Sequence, residues 1–194
     1  MKMRKLTENE IKGTKFEIAL EILLHQMHSK NIKNLVRNVE FHKSNKLYRQ
    51  VDICYTLTDN NNNEHLVFVE AKYSSHTPIS NKFRSKYIIR STENGKIRIN
   101  SLVDQILERE RFCNASYGIL ATNKTFTKEL EQTAKRNNIL LVDKNELSSI
   151  WNNMIKKGNF EDLTHSINIQ NHNIERKYIT IAKNSTSCYN SSLY

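Results

Sequence analysis

Leu66-Val67-Phe68-Val69-Glu70-Ala71-Lys72-Tyr73 is an apolar run that ends in two charges set two residues apart. Side chains on a strand alternate between faces, so Glu70 and Lys72 point the same way and bring a carboxylate and an ammonium to one spot. Upstream, Val51-Asp52-Ile53-Cys54-Tyr55-Thr56-Leu57 alternates as a second strand, and Asp59-Asn60-Asn61-Asn62-Asn63 between the two is a turn. That order predicts an antiparallel hairpin with Asp52 beside Glu70.

Working outward, Thr7-Glu8-Asn9-Glu10 has the form of a capping box, and Phe16, Ala19, Leu20, Leu23, Leu24 and Met27 recur at helical spacing. A first helix over residues 8–29 is expected. Leu35 to Phe41 alternates as a strand. Beyond the hairpin, Ser74 to Lys86 is a polar loop, and Tyr87-Ile88-Ile89-Arg90 and Lys96-Ile97-Arg98-Ile99 flank Asn94-Gly95, which predicts a small basic ribbon. Ser101 can cap a second helix carrying Leu102, Ile106, Leu107, Arg109 and Phe112. Tyr117 to Thr122 reads as a buried strand, Thr127 begins a third helix ending near Asn137-Asn138, Ile139 to Asp143 is a fully apolar strand, and Glu146 begins a last helix to about Ile155. Strands alternating with helices imply parallel pairing through helical crossovers, an α/β architecture.

A chain of 194 residues suits one domain with a tail. The domain is expected over residues 1–155, and the Asn-, Ser- and His-rich residues 156–194 as a polar extension. Within it Ile167-Asn168-Ile169 and Tyr178 to Ile181 are candidate short strands, with disorder from Lys183. Lys and Arg outnumber Asp and Glu by 30 to 20, a net charge of +10, which suits a polyanionic partner. No stretch approaches the roughly 18 apolar residues of a membrane span, and Met1 to Lys5 leads into no signal core, so a soluble intracellular protein, cytoplasmic or associated with DNA, is expected. Cys54, Cys113 and Cys188 form no Cys-x-x-Cys, which excludes a disulfide framework and a structural zinc site. His25 and His28 lack further ligands to share a metal, and His42 and His76 read as loop histidines.

Acids and a lysine at one spot are what phosphodiester hydrolysis requires. Such a reaction needs an activated water, neutralisation of charge growing on the phosphorus oxygens and help for the leaving oxyanion, and a divalent metal can supply all three. Mg²⁺ prefers hard oxygen ligands, one or two carboxylates among them. Asp52 and Glu70 meet that demand, Glu17 on the first helix could join through a water, and Lys72 would orient the attacking water and stabilise the transition state.

These elements, Gly13-Thr14-Lys15-Phe16-Glu17, Val51-Asp52-Ile53 and Val69-Glu70-Ala71-Lys72, resemble the PD-(D/E)XK nuclease superfamily. The later segments, Val103-Asp104-Gln105-Ile106, Gly118 to Asn123, Thr125-Phe126-Thr127-Lys128, Ala134 and Ile139 to Leu147, are similar to its Mrr-type restriction endonuclease-like branch. Over residues 11–150 the resemblance implies a restriction-endonuclease-like core, a mixed central β-sheet flanked by helices, Mg²⁺-dependent cleavage of DNA with Mn²⁺ as a substitute, and frequently a homodimer. It implies a metal held by Asp52, Glu70, Glu17 and the Ala71 backbone carbonyl, and a catalytic set of Asp52, Glu70, Lys72, Glu17 and Gln105, with Gln105 orienting Lys72 or touching DNA. The chain departs from the branch in having Tyr48-Arg49-Gln50-Val51 before Asp52 and Glu70 in place of a Gln, and in a long Ser74 to Asn100 segment.

Two stretches are basic: Lys30 to Arg49 has six Lys and Arg against Glu40, and Lys82 to Arg98 six against Glu93. Arg49, Lys82, Arg84, Lys86, Arg90, Lys96 and Arg98 are the candidate phosphate contacts. A four-way (Holliday) junction resolvase is the alternative substrate reading. A non-catalytic nucleic-acid-binding module, or a subunit dependent on a separate recognition partner protein, is the alternative class.

Overall fold

The computed structural model describes residues 6–27, 31–82, 88–155, 159–169 and 177–181. Arg84, Lys86, Phe83, Tyr87, His28, Cys188 and the segment from Lys183 lie outside the described residues. The elements run α1 (Glu8–Met27), β1 (Ile32–Ser44), β2 (Leu47–Thr58), β3 (Glu64–Lys72), β4 (Ile88–Thr92), β5 (Gly95–Ile99), α2 (Leu102–Cys113), β6 (Tyr117–Thr122), α3 (Lys128–Arg136), β7 (Leu140–Val142), α4 (Lys144–Ile155), α5 (Phe160–Ser166) and β8 (Lys177–Thr180). Among the described residues no helix is long and apolar enough to cross a membrane.

A six-stranded sheet in the order β7-β6-β3-β2-β1-β8 divides the molecule. β1, β2 and β3 pair antiparallel, while β6 joins β3, β7 joins β6 and β8 joins β1 in parallel. The expected hairpin and helical crossovers are therefore present. One sheet face packs Val39, Phe41, Val51, Cys54, Leu66 and Phe68 under α2 and α3. The other packs Ile53, Tyr55, Val67 and Val69 under α1, with Leu147 and Trp151 of α4 and Phe160 of α5 beside it.

Local chemistry sets the helix starts. Thr7 accepts from the Glu10 N–H at 3.3 Å while the Glu10 carboxylate accepts from the Thr7 N–H at 2.8 Å, the capping box expected for α1. Ser101 caps α2 by accepting from the Asp104 N–H at 3.1 Å, and Asn81 adds a second acceptor, for the Val103 N–H, at 3.1 Å. Gly118 lets α2 lie close on β6, since a Cβ there would meet Ile106 Cγ2 at 2.7 Å.

β7 is the apolar strand expected, and among the described residues it is the sheet edge, with Leu140 56% exposed. One local expectation is corrected. Ile167-Asn168-Ile169 is no strand; a helix missed in the sequence, α5, precedes it, and Ile167 closes that helix and fills the core under α1. The missed helix is short, seven residues, with a capping box of Asn159 and Asp162 in a stretch of polar composition.

Strict alternation along β2 fails at one place. Val51 and Cys54 share the core beneath α2, whereas Ile53 and Tyr55 face α1, so the phase slips across Asp52. Arg37 pairs with Ile53 and Val39 with Val51, which sets Asn38 across from Asp52, and Asn38 has the left-handed φ of 58°. Asn tolerates that conformation better than a branched residue does, for which the penalty is about 1–2 kcal/mol. Asn38→Val is expected to lower the unfolding free energy by about 1–3 kcal/mol in urea titrations and Asn38→Gly by less, a difference that a regular strand at this position would not give.

Candidate active site

Strand parity and register build the site. β2 and β3 pair Ile53 with Val69, so Asp52 and Glu70 are neighbours across the ladder. Asp52 Oδ2 accepts the backbone N–H of Ala71 at 2.8 Å, which ties the two strands at the charged end of β3. Glu70 is 1% exposed. Lys72 Nζ donates to its Oε1 and Arg109 Nη1, from α2, donates to its Oε2. The sequence expectation of a carboxylate and an ammonium on one face therefore holds, and a second cation has joined them.

Glu17 also reaches this cluster electrostatically. Burial raises its carboxyl above the ordinary range, Arg37 offsets part of that, and the negative charge of Glu70 adds to it. Asp52 is pushed further, from 3.8 up to about 8, by burial first and then by Glu70 and Glu17. Glu70 goes the opposite way: burial would raise it, but Arg109 and Lys72 hold it below its usual value. Burial also works against the Lys72 ammonium, yet Glu70 and Asp52 keep its pKa above the ordinary one. The site thus holds one firmly ionised carboxylate, one firmly charged lysine and two acids whose ionisation the others oppose.

Those acids fit a hard divalent cation, because an added positive charge would offset both the burial and the repulsion that oppose ionisation of Asp52. Among the described residues no three His, Cys, Asp or Glu side chains are already gathered in a metal-holding arrangement. Both Glu70 oxygens already accept from a cation, so an ion entering there competes with Lys72 and Arg109 for the same negative charge.

The model of the Mrr catalytic domain, described as a restriction endonuclease, matches residues 8–151. The chain belongs to this family. It is a nuclease-fold domain of the restriction endonuclease-like superfamily, and the mixed sheet flanked by helices is that fold. No curated protein matches the chain. Two solved structures are similar: a protein of unknown function, AF1548, at 14% identity with a TM-score of 0.44, covering 83% of this chain and 72% of that one, and VC1899 from Vibrio cholerae, at 13% identity with a TM-score of 0.48, covering 82% and 36%. The chain spans about a third of the length of the Vibrio cholerae protein.

Within this Mrr-type domain the remaining candidates separate. Gln105 is buried, and its amide oxygen, turned toward the guanidinium, accepts from Arg109 Nη1 and Nη2 at 3.2 and 2.9 Å. Arg49 is not a surface phosphate contact. It is 4% exposed, donates through Nε to Glu108 Oε1 at 2.6 Å and through Nη2 to the Ser91 carbonyl at 2.6 Å, and lies 4.6 Å over the Phe112 ring. It anchors the β4–β5 ribbon to α2. Arg90 is half-buried on that ribbon, and burial, Arg109 and Arg49 all lower its pKa. Lys82, Lys96 and Arg98 are exposed.

His42 stacks on Tyr48 and pairs with Glu40 at 3.1 Å, away from these acids, while His25 and His76 are exposed. Cys54 and Cys113 are buried free thiols, and burial pushes Cys54 up to about 12. A cleft of about 290 Å³ beside Tyr73, Asn123, Lys144 and Phe160 lies next to the site without including Asp52, Glu70 or Lys72.

Arg109 is the residue that sequence reasoning placed without a role. A signal existed: it falls on the stripe Leu102, Ile106, Arg109, Phe112 of α2, and a charged residue on an apolar stripe requires a buried counterion.

A carboxyl whose folded pKa lies above its unfolded value holds its proton more tightly in the native state. Its contribution to stability is complete below about pH 4, falls as pH rises and is lost by about pH 8. Asp52→Asn, neutral throughout, is therefore expected to stabilise the metal-free protein by about 1–3 kcal/mol at pH 8 relative to wild type and to flatten the decline in stability between pH 5 and pH 8, as read by denaturant titration at each pH.

Proposed function

We propose that this Mrr-type domain is a Mg²⁺-dependent endonuclease that hydrolyses phosphodiester bonds in DNA, with Mn²⁺ able to substitute. The observation that carries the reading is the convergence of Asp52, Glu70 and Lys72: Asp52 is bound to the backbone between the other two, and Lys72 is paired with Glu70. A structural Glu70–Lys72 ion pair does not need a second acid beside it whose ionisation Glu70 opposes, whereas a cation would draw both carboxylates to itself.

Asp52 and Glu70 would hold the ion, with Glu17 and the Ala71 carbonyl as further oxygen donors. When bound, the ion supplies a water that is nucleophilic at neutral pH and neutralises charge on the phosphorus oxygens. Lys72 is held charged by Glu70 and Asp52, so its ammonium stands ready to orient that water and to stabilise charge that grows on the reacting phosphate. Asp52 keeps its position through the Ala71 N–H whether or not it is ionised, because a carboxyl oxygen accepts in both states.

Lys82, Lys96 and Arg98, exposed on the loop and ribbon, would lie along the backbone of the nucleic acid, and Arg84 and Lys86 belong to the same basic stretch. Contacts of this kind set register and salt dependence without reading bases. A homodimer would give two such centres, one for each strand of a duplex.

The test is cleavage of supercoiled plasmid and of a four-way junction with Mg²⁺ or Mn²⁺. Wild type is expected to cut, and Lys72→Ala to cut slower by about 10²–10³-fold. Equal rates for the two proteins would sink the mechanism, and cutting confined to the junction would move the assignment to a resolvase.

A further inference from the structure

Four cationic side chains converge on two carboxylates beneath the β4–β5 ribbon. Lys72 and Arg109 take the two oxygens of Glu70, Arg49 takes Oε1 of Glu108, and half-buried Arg90 lies within electrostatic reach of Glu70, Glu108, Arg49 and Arg109. Among the described residues Nε of Arg90, Nε of Arg109 and Oε2 of Glu108 are buried without a hydrogen-bond partner. A buried donor left unmade costs about 1–3 kcal/mol, which an acceptor reaching either arginine from outside would recover. A planar fork of donors beside a second guanidinium suits a tetrahedral oxyanion such as a phosphodiester.

Glu70 adds a second constraint. Both of its oxygens already accept from a cation, so a divalent ion binding there meets two positive charges and competes with them for Glu70. Lys72 sits two residues away on the same strand, and that strand is held on both sides by β2 and β6. Arg109 comes from a helix by a long side chain, and beyond Glu70 its guanidinium is steadied by Gln105 through Nη1 and Nη2. Either side chain can turn without disturbing backbone pairing. Of the two, Arg109 is the one with a buried donor, Nε, that lacks a partner, so it gains a hydrogen bond by moving to a new acceptor.

We propose that Arg109 is a shared cation, neutralising Glu70 in the chain alone and moving with Arg90 onto a phosphate of the bound nucleic acid, which frees Glu70 Oε2 for the divalent ion. The proposal rests on the reading of Asp52 and Glu70 as metal ligands. It makes metal and nucleic acid bind cooperatively, each raising the other's affinity by one common factor. It also gives the free protein a built-in competitor against metal, so that the complete site assembles where substrate is present.

The measurement is calorimetric titration of the full chain with Mn²⁺, alone and saturated with a duplex made uncleavable by phosphorothioate linkages. Wild type is expected to bind Mn²⁺ about tenfold tighter with the duplex than without it. Arg109→Met should bind Mn²⁺ about tenfold tighter than wild type in the absence of duplex, and the duplex should then add nothing. An Arg109→Met protein with wild-type affinity and intact coupling overturns the proposal. Asp52→Asn separates the two levels: wild-type Mn²⁺ affinity in that variant would remove the metal reading itself, whereas lost binding there beside an unchanged Arg109→Met would remove only the role of Arg109. Should Arg109→Met fail to fold by circular dichroism, Gln105→Met removes only the acceptor that steadies the guanidinium. It is expected to gain about threefold in Mn²⁺ affinity without duplex, and no gain overturns the proposal.

Discussion

Removing a carboxylate from water costs several kcal/mol unless donors meet its oxygens, and Glu70, 1% exposed, is met from two parts of the chain. Lys72 arrives by strand parity, which is a local matter. Arg109 arrives only if α2 lies close over the sheet. That approach in turn requires Gly118, where a side chain would strike Ile106, and the start of α2 fixed by Ser101 and Asn81. One buried charge thus ties the hairpin, the crossover helix and β6 into a single arrangement. Moving any of them would leave a carboxylate without its counterions.

What could be read beforehand follows from whether the cause is local. The hairpin, the capping box at Thr7 and Glu10, the Ser101 cap and the parallel strands after Tyr117 depend on periodicity and on side chains a few residues apart, and these are present as expected. Burial of a whole strand depends on its position in the sheet. Ile139 to Asp143 is apolar enough for a central strand, yet among the described residues β7 pairs with β6 alone and forms the edge. Arg49 shows the same limit for charge. Composition gives it a place in a basic stretch, but its partner Glu108 is 59 residues away and its stacking partner Phe112 further still, so only the tertiary structure shows that it is internal. Arg109 was legible in part, as a charge on an apolar stripe, though nothing local names Glu70 as its counterion.

The net positive charge therefore has two components with different consequences. Arg37, Arg49 and Arg109 are spent on Glu21, Glu108 and Glu70 and act on the folded structure. Lys82, Lys96 and Arg98 are exposed, so their charge adds to the field around the molecule. Counting all of them as nucleic-acid contacts overstates the basic surface, and it also hides the anchoring of the ribbon. The Arg49 bond to the Ser91 carbonyl holds the ribbon's backbone against the core, which lets a two-stranded element, marginal when isolated, keep its basic side chains in a fixed place.

Asp52 stands where these constraints meet. The left-handed Asn38 across from it, the phase slip in β2 and the repulsion from Glu70 and Glu17 each oppose stability at one point. A sequence selected for stability alone would remove them: a branched residue in place of Asn38 would come with a regular strand, and an amide in place of Asp52 would end the repulsion. The slip carries Ile53 and Tyr55 to the α1 face while Val51 and Cys54 stay beneath α2, so that Asp52 falls at the changeover between a helix bearing Glu17 and a helix bearing Arg109. Regular alternation would instead assign every side chain of β2 to one core or the other. The irregular strand is thus the physical condition for gathering acids from one layer and cations from the other at the end of β3, and its cost in stability has a counterpart in the chemistry it permits.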